Sequence, residues 1–136
     1  SETTLSAALE TMYAQTSING EPINVLPKYL IHGPKNLVTV KKILSTDMLA
    51  SKSGDINVFK GEFIPVMDQH ITDKGWFLLS ESGMCDTIEY AHLDGEEGIY
   101  TETRNGFEVD GIEIKARLIF GAAAIDYRGM YKNAGA

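Results

Sequence analysis

Cysteine is almost absent: Cys85 stands alone in 136 residues. One thiol cannot form an intramolecular disulfide, and its isolation fits a reducing cytosol. Long apolar runs are also missing. The longest, around 118–125, is interrupted by glycine and alanine and falls short of the roughly 20 residues that span a bilayer. The opening Ser1-Glu2-Thr3-Thr4 lacks the basic start and apolar middle of a signal peptide, so neither secretion nor nuclear targeting has support. Basic residues are scarce, 12 Lys and Arg against 19 Asp and Glu, for a net charge of −7. That balance argues against nucleic acid as a direct partner, because phosphate binding rests on neutralisation by Lys and Arg. The phosphate-cradling patterns GxGxxG and GxxxxGK[ST] and the nucleophile elbow GxSxG do not occur.

The charge that is present is segregated. Ten acids fall in 81–113 (Glu81, Asp86, Glu89, Asp94, Glu96, Glu97, Glu102, Glu108, Asp110, Glu113) against one base, Arg104. Six lysines fall in 28–60 against Asp47 and Asp55. Two readings stand side by side: two independently solvated faces, or an acidic face on one copy that meets a basic face on another. The second would steer assembly and make it salt-sensitive.

The chemistry-bearing residues form no recognisable centre. His32, His70 and His92 share no ligand spacing of the HExxH kind, so a metal site is not expected. Asp94-Gly95-Glu96-Glu97-Gly98 is acidic but lacks the alternating oxygen ligands and closing Glu of an EF-hand loop. Cys85 with His92 and Asp86 could be imagined as a hydrolytic set. Single cysteines on apolar strands are far more often inert, and no nucleophile signature surrounds this one. Tyr127, Arg128 and Tyr131 could stack bases, but without a basic patch they read as packing or interface residues.

The periodicity predicts α+β architecture. Thr4 is placed to cap a first helix through about residue 15, with Leu5, Ala8, Leu9, Met12 and Tyr13 at helical spacing. Asn19-Gly20-Glu21-Pro22 breaks it. Short extended pieces are expected at 23–25 and 29–31, and Pro34 opens a second helix with Leu37, Val40, Leu44 and Met48 on one stripe. Residues 51–55 read as a polar loop. A strand is expected over 57–66, with a bulge at Gly61 and an edge position or strand end at Pro65. Trp76-Phe77-Leu78-Leu79 reads as a central strand, and 87–93 as another. Asn105-Gly106 reads as a two-residue hairpin joining 99–104 to 107–109. The final run, 112–120, alternates strictly: Ile112, Ile114, Ala116, Leu118 and Phe120 share one side, which predicts a half-buried strand. Gly121-Ala122-Ala123-Ala124 then suggests a backbone lying close by. Helices first, about five strands after, favour a largely antiparallel sheet over a doubly wound fold.

The tail 121–132, taken with Trp76-Phe77-Leu78-Leu79, Asp86-Thr87-Ile88-Glu89 and Asp94-Gly95, resembles the C-terminal part of the major head (capsid) subunit of tailed phages and prophages, in particular Mu-type head subunits and related protease–capsid fusions. The likeness runs over about 5–135 and includes Gly20-Glu21-Pro22-Ile23-Asn24-Val25 and Pro27-Lys28-Tyr29-Leu30-Ile31. It departs at His32-Gly33, where polar character interrupts the apolar strand such subunits carry before a proline-led helix. The resemblance implies the Hong Kong 97-type capsid fold, with an axial domain around capsomer centres and a peripheral domain bearing a long helix and a sheet. It implies one domain over 1–136, the axial domain at about 15–110 and a returning peripheral strand and tail at 111–136. The N-terminal arm, extended loop and spine helix would lie in a longer parent, which leaves room for this piece to be monomeric in solution. The expected role is a non-enzymatic shell subunit in the virion, made in the bacterial host cytoplasm, whose partners are other copies in hexamers and pentamers. No cofactor, membrane or specific nucleic acid is implied. Expected contact residues are Lys35, Lys41, Lys42, Glu96, Glu97, Arg104, Tyr127 and Arg128. A virion adaptor or a tail or head-completion domain is the alternative.

Overall fold

A computed structural model describes residues 1–45, 57–106 and 110–135. The chain folds as α+β, with two helices and mostly antiparallel strands, in two compact units: 1–87 with 125–136, and 88–124. This division does not coincide with the boundary expected near residue 110, because the strands on either side of that point pair with each other.

In the first unit, helix α1 spans Glu2–Tyr13. Its cap is Ser1 rather than Thr4. The Ser1 hydroxyl accepts from the Thr4 backbone N–H, and Thr4 sits at the third helical position with its own hydroxyl turned back to the cap. Leu5, Ala8 and Met12 form the buried stripe. Pro34 opens a single 3-10 turn, Pro34–Asn36, that runs into α2, Leu37–Ser45, which buries Val40 and Leu44. Met48 and the 51–55 loop lie outside the described residues.

The sheet of this unit has strand order β2-β1-β3-β8, where β1 is Pro27–His32, β2 Ile64–Met67, β3 Trp76–Ser80 and β8 Met130–Asn133. The strand expected at 57–66 starts late. Residues 58–62 are turns, and Gly61, at φ +72°, occupies the left-handed region that glycine tolerates instead of forming a bulge. Pro65 does lie on an edge strand, where a missing N–H leaves no gap in the ladder. β2 pairs with β1 in parallel, the one parallel pair among the described strands. Residues 23–25 are not a strand.

Leu30, Leu78 and Tyr131 sit in register across β1, β3 and β8. Leu30 and Leu78 join the α1 and α2 stripes, Val25, Phe59 and Phe63 in one core, against which Trp76 and Tyr131 pack. Leu78 is fully buried, as its central position requires. The tail is tied close to this core: Ser80 N–H donates to the Gly129 carbonyl at 2.9 Å.

The second unit is a ribbon. β4, Ile88–His92, pairs antiparallel with β7, Phe120–Ala124; inside that pair, β5, Tyr100–Asn105, pairs antiparallel with β6, Ile112–Arg117. The hairpin predicted at Asn105-Gly106 therefore exists, but its partner strand is 112–117, and Gly106 N–H closes the longer connection onto the Gly111 carbonyl at 2.8 Å. Residues 107–109 lie outside the described residues. The long final strand breaks at 118–119, and it is exposed throughout rather than half-buried.

The small-residue argument fails where it was made and holds elsewhere. A Cβ on Gly121 would meet nothing within 4 Å, so no backbone crowds that position. A Cβ on Gly129 would lie 2.5 Å from both Ser80 Oγ and Thr87 Cγ2. Gly129→Ala is therefore expected to lower stability by about 1–3 kcal/mol through overpacking. Gly121→Ala should change it by no more than about 0.5 kcal/mol. Urea unfolding of the two variants checks the contrast, and equal effects would remove it.

Candidate assembly surfaces

Each ladder of the ribbon has two chemically different sides, and strand register decides which residue lies on which. In β4 and β7, Ile88, Tyr90 and His92 stand opposite Ala124, Ala122 and Phe120. In β5 and β6, Thr101, Thr103 and Asn105 stand opposite Ala116, Ile114 and Ile112. These twelve positions carry no Asp, Glu, Lys or Arg. The opposite sides hold every such residue of the four strands: Glu89, Glu102, Arg104, Glu113, Lys115 and Arg117. Period-two patterning alone produces this split.

The charged side neutralises itself. Arg104 Nε bonds the Glu113 carboxylate, Lys115 Nζ lies 3.2 Å from Glu102 Oε2, and Arg117 reaches Glu96. The Arg117 guanidinium also lies over the Tyr100 ring at 5.2 Å. Exposed pairs of this kind contribute only about 0–1 kcal/mol each. They engage all three basic residues of the ribbon's strands and leave Glu89 as the strand acid without an ion pair among the described residues.

The charge-free side has an aromatic cluster and no cover among the described residues of the ribbon. Tyr90, His92 and Phe120 lie with ring centroids 5.6–6.3 Å apart. Ile112 and Ile114 nevertheless remain 71% and 72% exposed, and Tyr90 68%. Burying one such side chain is worth about 1.5–3 kcal/mol, so leaving them in water forfeits much of what the ribbon could gain. An isolated two-stranded ribbon is marginal in water. The first unit has a milder case: Tyr29, Ile31, Phe77, Leu79 and Met130, on the sheet side away from Leu30 and Leu78, are only half-buried.

The expected contact residues separate into two groups. Glu96 and Arg104 are bonded within the ribbon, and Arg128 is held by Asp126, through Nη1 to Oδ2 at 3.0 Å and its backbone N–H to Oδ1 at 2.9 Å. Tyr127 is exposed, with Arg128 over its ring at 5.8 Å. Lys28, from the basic stretch, pairs inside the chain with Glu81, which holds its ammonium above the usual lysine range. Lys35, Lys41, Lys42 and Glu97 are exposed and have no ion pair among the described residues. Sequence reasoning missed Ile88, Tyr90 and His92 as partners of the alternating tail. The signal was their own alternation, read only as a strand.

A small apolar cleft of about 60 Å³ lies between α1, α2 and the sheet, lined by Leu5, Leu30, Val40, Ile43 and Trp76. The histidines occupy separate settings: His32 is buried with Nδ1 2.9 Å from the Gly33 carbonyl, His70 bonds Asp68, and His92 belongs to the aromatic cluster. Among the described residues no three His, Cys, Asp or Glu side chains are grouped to hold a metal ion.

Cys85 is half-buried, and burial, with Asp126 and Asp86 adding to it, pushes its thiol above the ordinary range. A raised value leaves less thiolate at neutral pH, the reverse of an activated nucleophile. Iodoacetamide should therefore modify Cys85 more slowly than free cysteine at pH 8, with the rate still rising above about 8.5, the ordinary thiol value. Modification faster than free cysteine would revive thiol chemistry.

A family model described as phage capsid protein matches residues 1–133. No curated protein and no solved structure matches the chain. The family is of a structural kind, and what it makes belongs to the bacteriophage virion. A match over nearly the whole length, on a chain whose most distinctive surface is an uncovered apolar ribbon, leaves one conclusion: this chain belongs to the phage capsid protein family.

Proposed function

We propose that the chain is the C-terminal part of a Mu-like major head subunit of Hong Kong 97-type fold, one that self-associates into hexamers and pentamers and closes an icosahedral shell around DNA. The observation that carries this is the ribbon, each ladder of which keeps its charged residues on one side and none on the other. A surface of that kind is finished only by packing against more protein.

Within this fold the first unit corresponds to the axial domain. The ribbon, which contains the returning strand, enters the peripheral domain. In this reading the domain division is drawn around 88–124, which keeps the paired strands β5 and β6 together. The charge-free side of the ribbon is the seat proposed for the long helix of the peripheral domain. A helix about 10–12 Å across matches the width of two strands and their side chains. Synthesis in the host cytoplasm completes the reading.

Expression of the head subunit at full length, without other phage proteins, tests this by electron microscopy. Closed shells or capsomer rings are expected. Small rings of one fixed number, or monomers only, would favour an adaptor or head-completion role instead. A second measurement bears on the ribbon. Ile112→Ser with Ile114→Ser should change the stability of the isolated chain by no more than about 0.5 kcal/mol, because both side chains are already in water. The same pair in the full-length subunit should sharply reduce the yield of particles, and an unchanged yield would show that this side stays solvated.

A further inference from the structure

Among the described residues without an ion pair, two exposed groups carry opposite charge, one after β4 and one on α2. In the ribbon, residues 93–99 stand across from only residues 118–119, so the longer segment must project. A tight turn holds it: Glu96 N–H donates to the Leu93 carbonyl at 2.9 Å, and Gly95 has φ +79°. Glu96 is occupied by Arg117, but Asp94 and Glu97 are exposed with no ion pair among the described residues. Leu93 and Ile99, 50% and 67% exposed, flank them.

Helix α2 carries the counterpart. Val40 and Leu44 face the core, which leaves Val38, Lys41 and Lys42, spaced three and four residues apart, as an outward stripe. Lys35 precedes the stripe in the 3-10 turn. Val38 is 64% exposed, an apolar centre in a basic surround. The loop offers two carboxylates around apolar residues, and the stripe offers ammonium groups around one, none of them in an ion pair among the described residues.

We infer that the 93–99 loop of one copy docks on the outward α2 stripe of a second copy, Asp94 and Glu97 against Lys41 and Lys42. This rests on the capsid-subunit reading above and adds the contact by which copies recognise one another. The second copy is the occupant because the two patches match in sign and in their apolar centres. A chain of net charge −7 repels its copies unless basic and acidic patches meet.

Charge reversal in the full-length subunit tests the pairing, with assembly followed by sedimentation at low salt. Lys41→Glu with Lys42→Glu, and separately Asp94→Lys with Glu97→Lys, should each slow capsomer formation about tenfold or more, with the wild-type difference shrinking as salt is added. All four residues are exposed, so unchanged melting curves verify that each variant folds. Mixing the two variants should restore assembly, and so should all four substitutions in one chain. Wild-type rates for both single-patch variants would overturn the contact while leaving the capsid reading intact. Rescue in the fourfold variant but not in the mixture would place the pairing inside one chain and also overturn it. Failure of the wild-type subunit to assemble at all would overturn the capsid reading and the contact with it.

Discussion

Two hydrogen-bonded strands cannot bury an apolar side by themselves, and this constraint governs the second half of the chain. The ladders β4–β7 and β5–β6 satisfy backbone groups along their inner edges, and cross-strand ion pairs settle the charged side. Nothing in that arrangement shields Ile112, Ile114 or Tyr90 from water. In an ordinary domain a second layer would lie over them. In a shell protein the missing layer can come from elsewhere in the assembly, and the subunit alone is then structurally incomplete by design. The first unit shows the contrasting solution: two helices supply the layer, and Leu78 disappears from solvent.

Charge follows the same economy. Composition suggests a strongly acidic segment waiting for a basic partner, yet Arg104, Lys115 and Arg117 neutralise Glu113, Glu102 and Glu96 inside the ribbon. Lys28 and Glu81 likewise cancel within the first unit. Each of these pairs is neutral, so the net charge of −7 is carried by the acids left without a basic partner. Where unpaired acids and unpaired lysines lie on different elements, as at 93–99 and on α2, complementary charge can set specificity.

Sequence periodicity revealed the elements whose pattern is self-contained. The α1 stripe of Leu5, Ala8 and Met12, the α2 stripe of Val40 and Leu44, and the buried strand at Trp76–Ser80 all follow from spacing. Partner choice was not legible. Asn105-Gly106 marks a turn, but whether its strand returns at once or after several residues depends on which register places Ile114 and Ile112 opposite Thr103 and Asn105. Burial was the other blind spot. Alternation at 112–117 fixes which residues share a side, while the cover for that side lies outside any local window. Gly121 and Gly129 make the point for packing: the same residue type marks open space at one position and close contact at the other, and only long-range folding distinguishes them.

The ribbon leaves and rejoins the first unit at a single closed point, where Ile125 N–H donates to the Thr87 carbonyl at 2.9 Å. Topologically it is a detour: the sheet strands β3 and β8 would remain neighbours whatever length of polypeptide runs between those two residues. Because the entropy of closing a loop grows only slowly with its length, by about 0.6 kcal/mol per doubling, such a detour can be lengthened or shortened with little penalty to the body that carries it. The ribbon can thus change in length over generations while the sheet of the first unit stays constant.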